Sequence, residues 1–199
     1  TVQVDKQGNI WTSDEGTNMV VKFSPAGKVL LVLGRRDEAV EEAAPRAPGA
    51  PFVPRWGAFN RPTDVTWDLD GNIFIADGYN NSRVVKLDKT GKWLKTWGER
   101  GSNPGQFNTL HTIASDAKGN IYVGDRFNRR IQVFDPDGNH LRTITIDVPV
   151  PAGAQPWFGN TPTPEGATAQ SGAPWAICVS GGPTQYLYSA DAFPGRIYK

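Results

Sequence analysis

The sequence predicts an all-β protein assembled from repeated antiparallel meanders, and three observations predict it. The first is self-similarity. The stretches "VDKQGNIWTSDEGTNMVVKF", "WDLDGNIFIADGYNNSRVVKL" and "SDAKGNIYVGDRFNRRIQVF" align on Gly8-Asn9, Gly71-Asn72 and Gly119-Asn120, and each runs four residues on to an aspartate, Asp14, Asp77 or Asp125. A fourth, weaker copy, "WAICVSGGPTQYLYSADAFPGRIYK", keeps Asp191 and an apolar run but replaces the first turn with "SGGPTQ". Repetition of this kind dictates architecture before any motif is read. The second observation is residue chemistry. Short runs of Ile, Val, Phe, Tyr and Trp are bounded by Gly, Asn, Asp and Pro, the pattern of strands and tight turns. The third is the near absence of a helical period. The one helix-compatible segment, "RRDEAVEEAAPRAP" at 35–48, is halted by Pro45 and Pro48, each lacking the N–H that a continuing helix needs.

Each copy divides into four strands, in the second copy at about 62–68, 72–77, 82–87 and 92–97. Four antiparallel strands joined by short turns are the blade of a β-propeller. The copies fall at about 1–35, 58–100, 103–147 and 171–199, with loop inserts at 36–57 and 148–170. The Pro- and Gly-rich stretch 148–174 and the insert 36–57 read as excursions above one face, either lids or disorder. At roughly 45 residues per blade the chain supplies about four blades. The first begins inside its innermost strand, and the last stops at "RIYK", where its siblings add a turn and an outer strand. The expectation is a propeller portion with incomplete first and last blades, the remaining blades coming from the rest of the chain or from another chain.

Composition narrows the function classes. A formal charge of +1, with the basic residues scattered, argues against a nucleic-acid surface, which needs a concentrated basic stripe. Arg35, Arg36, Arg129 and Arg130 read as solvated. No apolar run approaches the ~18 residues of a spanning helix. The single cysteine, Cys178, has no internal partner and reads as a small buried hydrophobe in the strand "AICVS".

The repeat also places the chemistry-bearing residues. In a blade, the start of the innermost strand and the loop after the second strand lie on the same face near the axis. His111 opens an innermost strand; Asp125, Arg126 and Phe127 close the strand beside it. One blade earlier Thr63 takes the histidine's place, and Asp77, Gly78 and Tyr79 close the second strand. Tyr79, His111 and Arg126 are therefore expected to share one face, with the three Gly-Asn turns on the opposite one. The four recurring aspartates fit a structural role, accepting hydrogen bonds from loop amides.

The segments "FNRPTDV" with "DGYNNSRVVKL", and "WGERGSNPGQFNTLHTIA" with "GDRFNRRIQVF", resemble the six-bladed NHL-repeat propeller of the peptidyl-α-hydroxyglycine α-amidating lyases (peptidylamidoglycolate lyases). The resemblance is strongest from about 59 to 146. It implies a zinc held by one histidine from each of three alternate blades, with His111 as the middle ligand. It further implies Tyr79 as the catalytic tyrosine, Arg126 as an active-site arginine, and a calcium bound partly by the main-chain carbonyl at Val2. The substrate would be a peptide or a small α-hydroxyglycine, cleaved to a peptide amide and glyoxylate, in a secreted or periplasmic setting. Thr63 and Trp175 occupy the non-ligand blades. The chain has one further histidine, His140, in an outer turn where a surface role is expected. The other two ligands would fall one residue before Thr1 and in a blade after "RIYK", so the chain alone is expected to bind zinc weakly and lack activity.

Plainer roles exist for each residue: His111 as a satisfied polar group, Tyr79 packed between blades, Arg126 paired with Asp125 or Asp77. The competing functions are a non-catalytic NHL propeller that binds a protein or peptide on the same face, and a different metal-dependent hydrolase or lyase on this scaffold.

Overall fold

The computed structural model describes residues 1–35, 55–149, 152–153, 171–192 and 194–199, and all regular structure among them is β. The helix-compatible stretch beyond Arg35 and most of both inserts lie outside the described residues. The first blade comprises β1 (Val2–Val4), β2 (Ile10–Asp14), β3 (Met19–Phe23) and β4 (Val29–Gly34). The second comprises β5 (Asp64–Trp67), β6 (Ile73–Asp77), β7 (Arg83–Leu87) and β8 (Trp93–Trp97). The third comprises β9 (Leu110–Ser115), β10 (Ile121–Asp125), β11 (Arg130–Phe134) and β12 (His140–Thr145). The last comprises β13 (Ala176–Val179), β14 (Leu187–Ala190) and β15 (Ile197–Tyr198). Each sheet is a meander in chain order. The first sheet has its full four strands, although the sequence predicts an incomplete first blade, with an opening strand β1 of three residues; the last sheet has three strands among the described residues.

Blades stack face to face, so the period-2 alternation of each strand is divided between two neighbours. In β6, Ile73 and Ile75 join Trp11, Val20 and Leu33 of the first blade, whereas Phe74 and Ala76 join Phe107, Leu110 and Ile113 of the third. Every residue of β6 and of β10 is consequently buried. Strands at the two ends of the set bury one face only: Val2 and Val4 of β1 stand 66% and 62% exposed. Cys178 is exposed as well. Its neighbour Ile177 turns inward against the third blade, so the alternation leaves Cys178 on the free face of this end sheet, uncovered within this chain, where the sequence predicts a buried thiol.

The Gly-Asn turns are pinned by an aspartate four residues before the asparagine. Asp68 Oδ1 accepts the Asn72 N–H at 2.9 Å and Oδ2 the Asn72 side-chain amide at 2.7 Å. Asp5, Asp116 and Asp135 repeat the arrangement with Asn9, Asn120 and Asn139. The intervening glycines Gly8, Gly71 and Gly119 hold φ of 79°, 80° and 85°, a left-handed conformation that glycine adopts without a Cβ clash. At Asp5 burial opposes ionisation. Hydrogen bonds from Trp11 and Asn9, with Lys22 beside them, overcome it and draw the carboxyl down to about 2.

The second recurring aspartate closes each blade's upper loop. Asp125 accepts bonds from the Asn108 N–H, Asn128 Nδ2, Arg130 Nε and Gln132 Nε2. Asp77 takes the Asn60 N–H, Asn81 Nδ2 and Arg83 Nε, and Asp191 the N–H groups of Gly172, Gly195 and Arg196. Among the described residues Asp14 bonds only within its own turn, to the Gly16 N–H and Thr17 Oγ1. These contacts also correct the reading of two arginines as solvated. Arg130 pairs with Asp125 at 2.7 Å and bridges three carbonyls of the 102–106 loop, and Arg129 donates to the Ser171 carbonyl.

Around the axis, Asp64 at the head of β5 ties three innermost strands together. Its Oδ1 accepts from Thr1 Oγ1 and Gln3 Nε2 of the first blade, and its Oδ2 from Thr112 Oγ1 and the Ile113 N–H of the third. Thr112 Oγ1 in turn accepts the Ile177 N–H of the last blade at 3.3 Å. The two recurring upper-loop sites make a direct test. Asp125→Ala unpairs the loop donors gathered by this buried carboxylate, half-buried Arg130 among them, and is expected to cost on the order of 3 kcal/mol, whereas Asp14→Ala is expected to cost under about 1 kcal/mol. Denaturant unfolding of the two variants measures the difference, and equal losses would contradict the assignment.

Candidate functional site

Backbone register makes Thr63, His111 and Trp175 equivalent positions. The Thr63 N–H donates to the Ala76 carbonyl and the Trp175 N–H to the Ala190 carbonyl, each carbonyl one residue before its blade's aspartate. Gly124 holds that place in the third blade, paired with Thr112 directly after His111. Identical frames carry three different side chains. Thr63 is buried, and its hydroxyl lies within hydrogen-bond reach of the Ala76 and Leu110 carbonyls, so it is consumed by the scaffold. The imidazole of His111 reaches sideways, where its Nδ1–H donates to the Trp175 carbonyl at 2.7 Å. That bond selects the tautomer whose Nε2 carries a free lone pair.

Tyr79 arrives beside His111 because of Gly78. A Cβ at Gly78 would stand 1.6 Å from the carbonyl oxygen of Leu110, the residue before His111, so only glycine lets this loop touch the start of β9. The Tyr79 ring then meets the imidazole edge-on, with centroids 5.8 Å apart. Trp175 packs on the histidine with its ring 4.8 Å away. Arg126 completes the group, its guanidinium 5.6 Å from the Tyr79 ring and 4.7 Å from that of Trp175. The three residues singled out in the sequence thus sit in one cluster on the face opposite the Gly-Asn turns. Arg126 is only 3% exposed, makes no ion pair among the described residues, and its Nε has no partner. The alternative in which it pairs with Asp125 or Asp77 does not hold, because Arg130 and Arg83 take those carboxylates.

Burial, and then the Arg126 charge, hold the His111 imidazole down at about 4 against the opposing pull of the Trp175 carbonyl and Asp64. Burial lowers Arg126 also, offset by Tyr79 and Glu15. A neutral imidazole with its Nδ1–H fixed by a carbonyl is the form that ligates a metal, so His111 suits one zinc position. Among the described residues no group of three or more His, Cys, Asp or Glu converges, and the donor set does not close within them. His140 lies on the outermost strand β12, bonded to Thr143 Oγ1 and edge-on to Phe134, remote in the sheet order from β9. Val2 of β1, which the resemblance assigns to calcium, pairs with Thr12 of β2. Sequence reasoning missed three contributors: the wall made by Trp175, Arg61 with its guanidinium 4.7 Å from the Tyr79 ring, and Glu15, 3.2 Å from Arg61. The tryptophan stood in view as the odd residue at a position otherwise held by Thr and His.

Two outcomes follow from this geometry. A histidine lowered by folding leaves the unfolded chain to take up protons first, so its contribution to stability is complete above 6.5 and is lost as pH falls towards about 4. An NMR titration of the metal-free chain is expected to find the His111 midpoint near 4, with Arg126→Gln moving it upward; a midpoint near 6.5 would contradict the burial described. Gly78→Ala is expected to cost about 1–3 kcal/mol and to abolish the Tyr79–His111 contact, seen as lost cross-peaks between the two rings.

A family model described as a 6-bladed beta-propeller matches residues 60–155. Peptidyl-glycine alpha-amidating monooxygenase A of Xenopus laevis is 37% identical over 150 residues, which are 71% of this chain and 14% of that protein. A probable peptidyl-alpha-hydroxyglycine alpha-amidating lyase of Caenorhabditis elegans is 30% identical over 154 residues, 74% of this chain and 40% of that protein. Human NHL repeat-containing protein 3 is 33% identical over 135 residues, 65% of this chain and 36% of that protein. The chain therefore spans less than half the length of each of these relatives. The four consecutive blades give the chain a β-propeller fold, and its sequence is similar to a six-bladed propeller family, to an NHL repeat protein and to the peptide-amidating proteins.

Proposed function

We propose that the chain supplies the reactive face of a lyase that cleaves peptidyl-α-hydroxyglycine to a peptide amide and glyoxylate. The observation that supports this reading is the convergence of Tyr79, His111 and Arg126 in one cluster, in a chain with a relative named as an amidating lyase. In the reaction the hydroxyl oxygen gives up its proton and becomes the carbonyl of glyoxylate. The C–N bonding pair passes to the nitrogen, which is protonated to give the amide. Tyr79, acting as phenolate, takes the hydroxyl proton. Arg126, held 3% exposed without a carboxylate in ion-pair distance among the described residues, offsets the negative charge that the substrate brings. Trp175 fixes the imidazole through its carbonyl and shields one side of the cluster from water. A zinc at His111 Nε2 would supply the charge that polarises the hydroxyl. Three protein ligands are usual for a catalytic zinc, so the reading requires two donors from other blades. Calcium near Val2 belongs to the same proposal.

A second reading follows from the kinship with an NHL repeat protein: a propeller that binds a peptide or protein on this face without chemistry. In a polypeptide carrying the full ring, the lyase reading expects bound zinc and glyoxylate release. It expects Tyr79→Phe to lower kcat by about 10²–10⁴ with little change in metal content, and His111→Ala to lose both metal and activity. An absence of metal and glyoxylate there, with partner binding intact in His111→Ala, would instead establish the binding module.

A further inference from the structure

We infer that the open face carries a carboxylate-binding site formed by Arg61 and Arg126, with Glu15 as a built-in carboxylate that occupies Arg61 until a ligand displaces it. The two guanidiniums lie 4.7 and 5.6 Å from the same Tyr79 ring. Arg61 is set in place by its backbone: its N–H donates to Asn18 Oδ1 at 2.7 Å, and its carbonyl accepts the Tyr79 N–H at 3.4 Å. Its φ is 61°, and Thr109, at the corresponding position of the next blade, has φ 59°. The left-handed backbone therefore belongs to the repeat, whereas the arginine side chain belongs to this blade alone.

A planar guanidinium presents paired N–H donors that match a carboxylate. Arg61 Nη2 already holds one, Glu15 Oε2 at 3.2 Å, with both side chains nearly half exposed. Exposed ion pairs contribute little, so an incoming carboxylate gives up little by taking the place of Glu15. Arg126 supplies the second, independent sign of an anion site. It is buried, it lacks a carboxylate within ion-pair distance among the described residues, and its Nε is unpartnered. A buried charge of this kind is costly unless something meets it. The Glu15 charge is felt at Arg126 as well, which places the carboxylate of the first blade within the field of both arginines.

The identity of the ligand rests on the lyase reading: peptidyl-α-hydroxyglycine carries a terminal carboxylate, and the amide product does not. The pair of arginines would then hold the substrate through the carboxylate that departs with glyoxylate, the amide loses this hold on cleavage, and Glu15 returns to Arg61 as glyoxylate leaves.

The test is equilibrium binding to the full chain of a fluorescent peptide ending in a glycine carboxylate and of the same peptide as its C-terminal amide. The wild type is expected to prefer the carboxylate. Glu15→Gln removes the competitor and is expected to tighten carboxylate binding by up to about fivefold, with the amide unchanged. Arg61→Gln is expected to weaken carboxylate binding by up to about fivefold and to diminish the preference. Both side chains are exposed, and melting temperatures close to the wild type confirm that the variants are folded. Equal binding of the two peptides by wild type and Glu15→Gln, or an undiminished preference in Arg61→Gln, would overturn the inference and leave a surface ion pair only. A retained carboxylate preference without glyoxylate release would uphold the carboxylate site while removing the lyase reading.

Discussion

One buried carboxylate organises the axis of this protein. Asp64 is 2% exposed, has no cation within ion-pair distance among the described residues, and satisfies its charge with hydroxyl, amide and backbone donors from the first and third blades. Hydrogen bonds to an ionised acceptor are about twice as strong as neutral ones, and in a site of low dielectric an unmet partner is correspondingly expensive. The innermost strands are thus locked in register one residue beyond the level at which Thr63 and His111 stand. Thr112 carries the same connection to the last blade. Sheet-to-sheet packing alone specifies that blades stack; it does not specify their height relative to one another, since apolar contacts lack direction. The carboxylate supplies that direction.

Set on this frame, the cluster at the open face is polar chemistry held by apolar walls. Trp175 and Tyr79 flank the imidazole, and both aromatic rings also meet Arg126. The same burial has opposite consequences for usefulness. It keeps the imidazole neutral, leaving a lone pair for a metal or a proton, and it leaves Arg126 as a charge in want of an anion. Polar groups arranged in this way add little to stability, and the apolar interfaces between blades offset their cost. Phe74, Phe107, Phe134 and Leu110, all fully buried, lie in the interface between the second and third blades.

The repeat separates what is common from what is particular. Left-handed backbone at Arg61 and Thr109, a carbonyl accepting the N–H at Thr63 and Trp175, and an aspartate gathering loop donors recur from blade to blade. On that constant backbone the side chains are free to differ. The site is made where consecutive blades differ, glycine and tyrosine in one loop against arginine and phenylalanine in the next.

The sequence by itself determined the blade and its repetition, because turn glycines, β-branched runs and recurring aspartates are local chemistry with a fixed spacing. It also marked His111, Tyr79 and Arg126 as sharing one end of their blades, since strand direction alone sends them there. It did not show that Asp64 joins three blades, that Arg130 is consumed by Asp125, or that Cys178 faces outward. Those depend on which neighbour stands against each strand face. Nor did it show the Arg61–Glu15 pair or the wall made by Trp175, whose partners lie in separate blades, 46 positions apart for the first and 64 for the second. Only the tertiary structure decides such contacts, because the angle and height at which one blade meets the next place side chains that no local pattern connects.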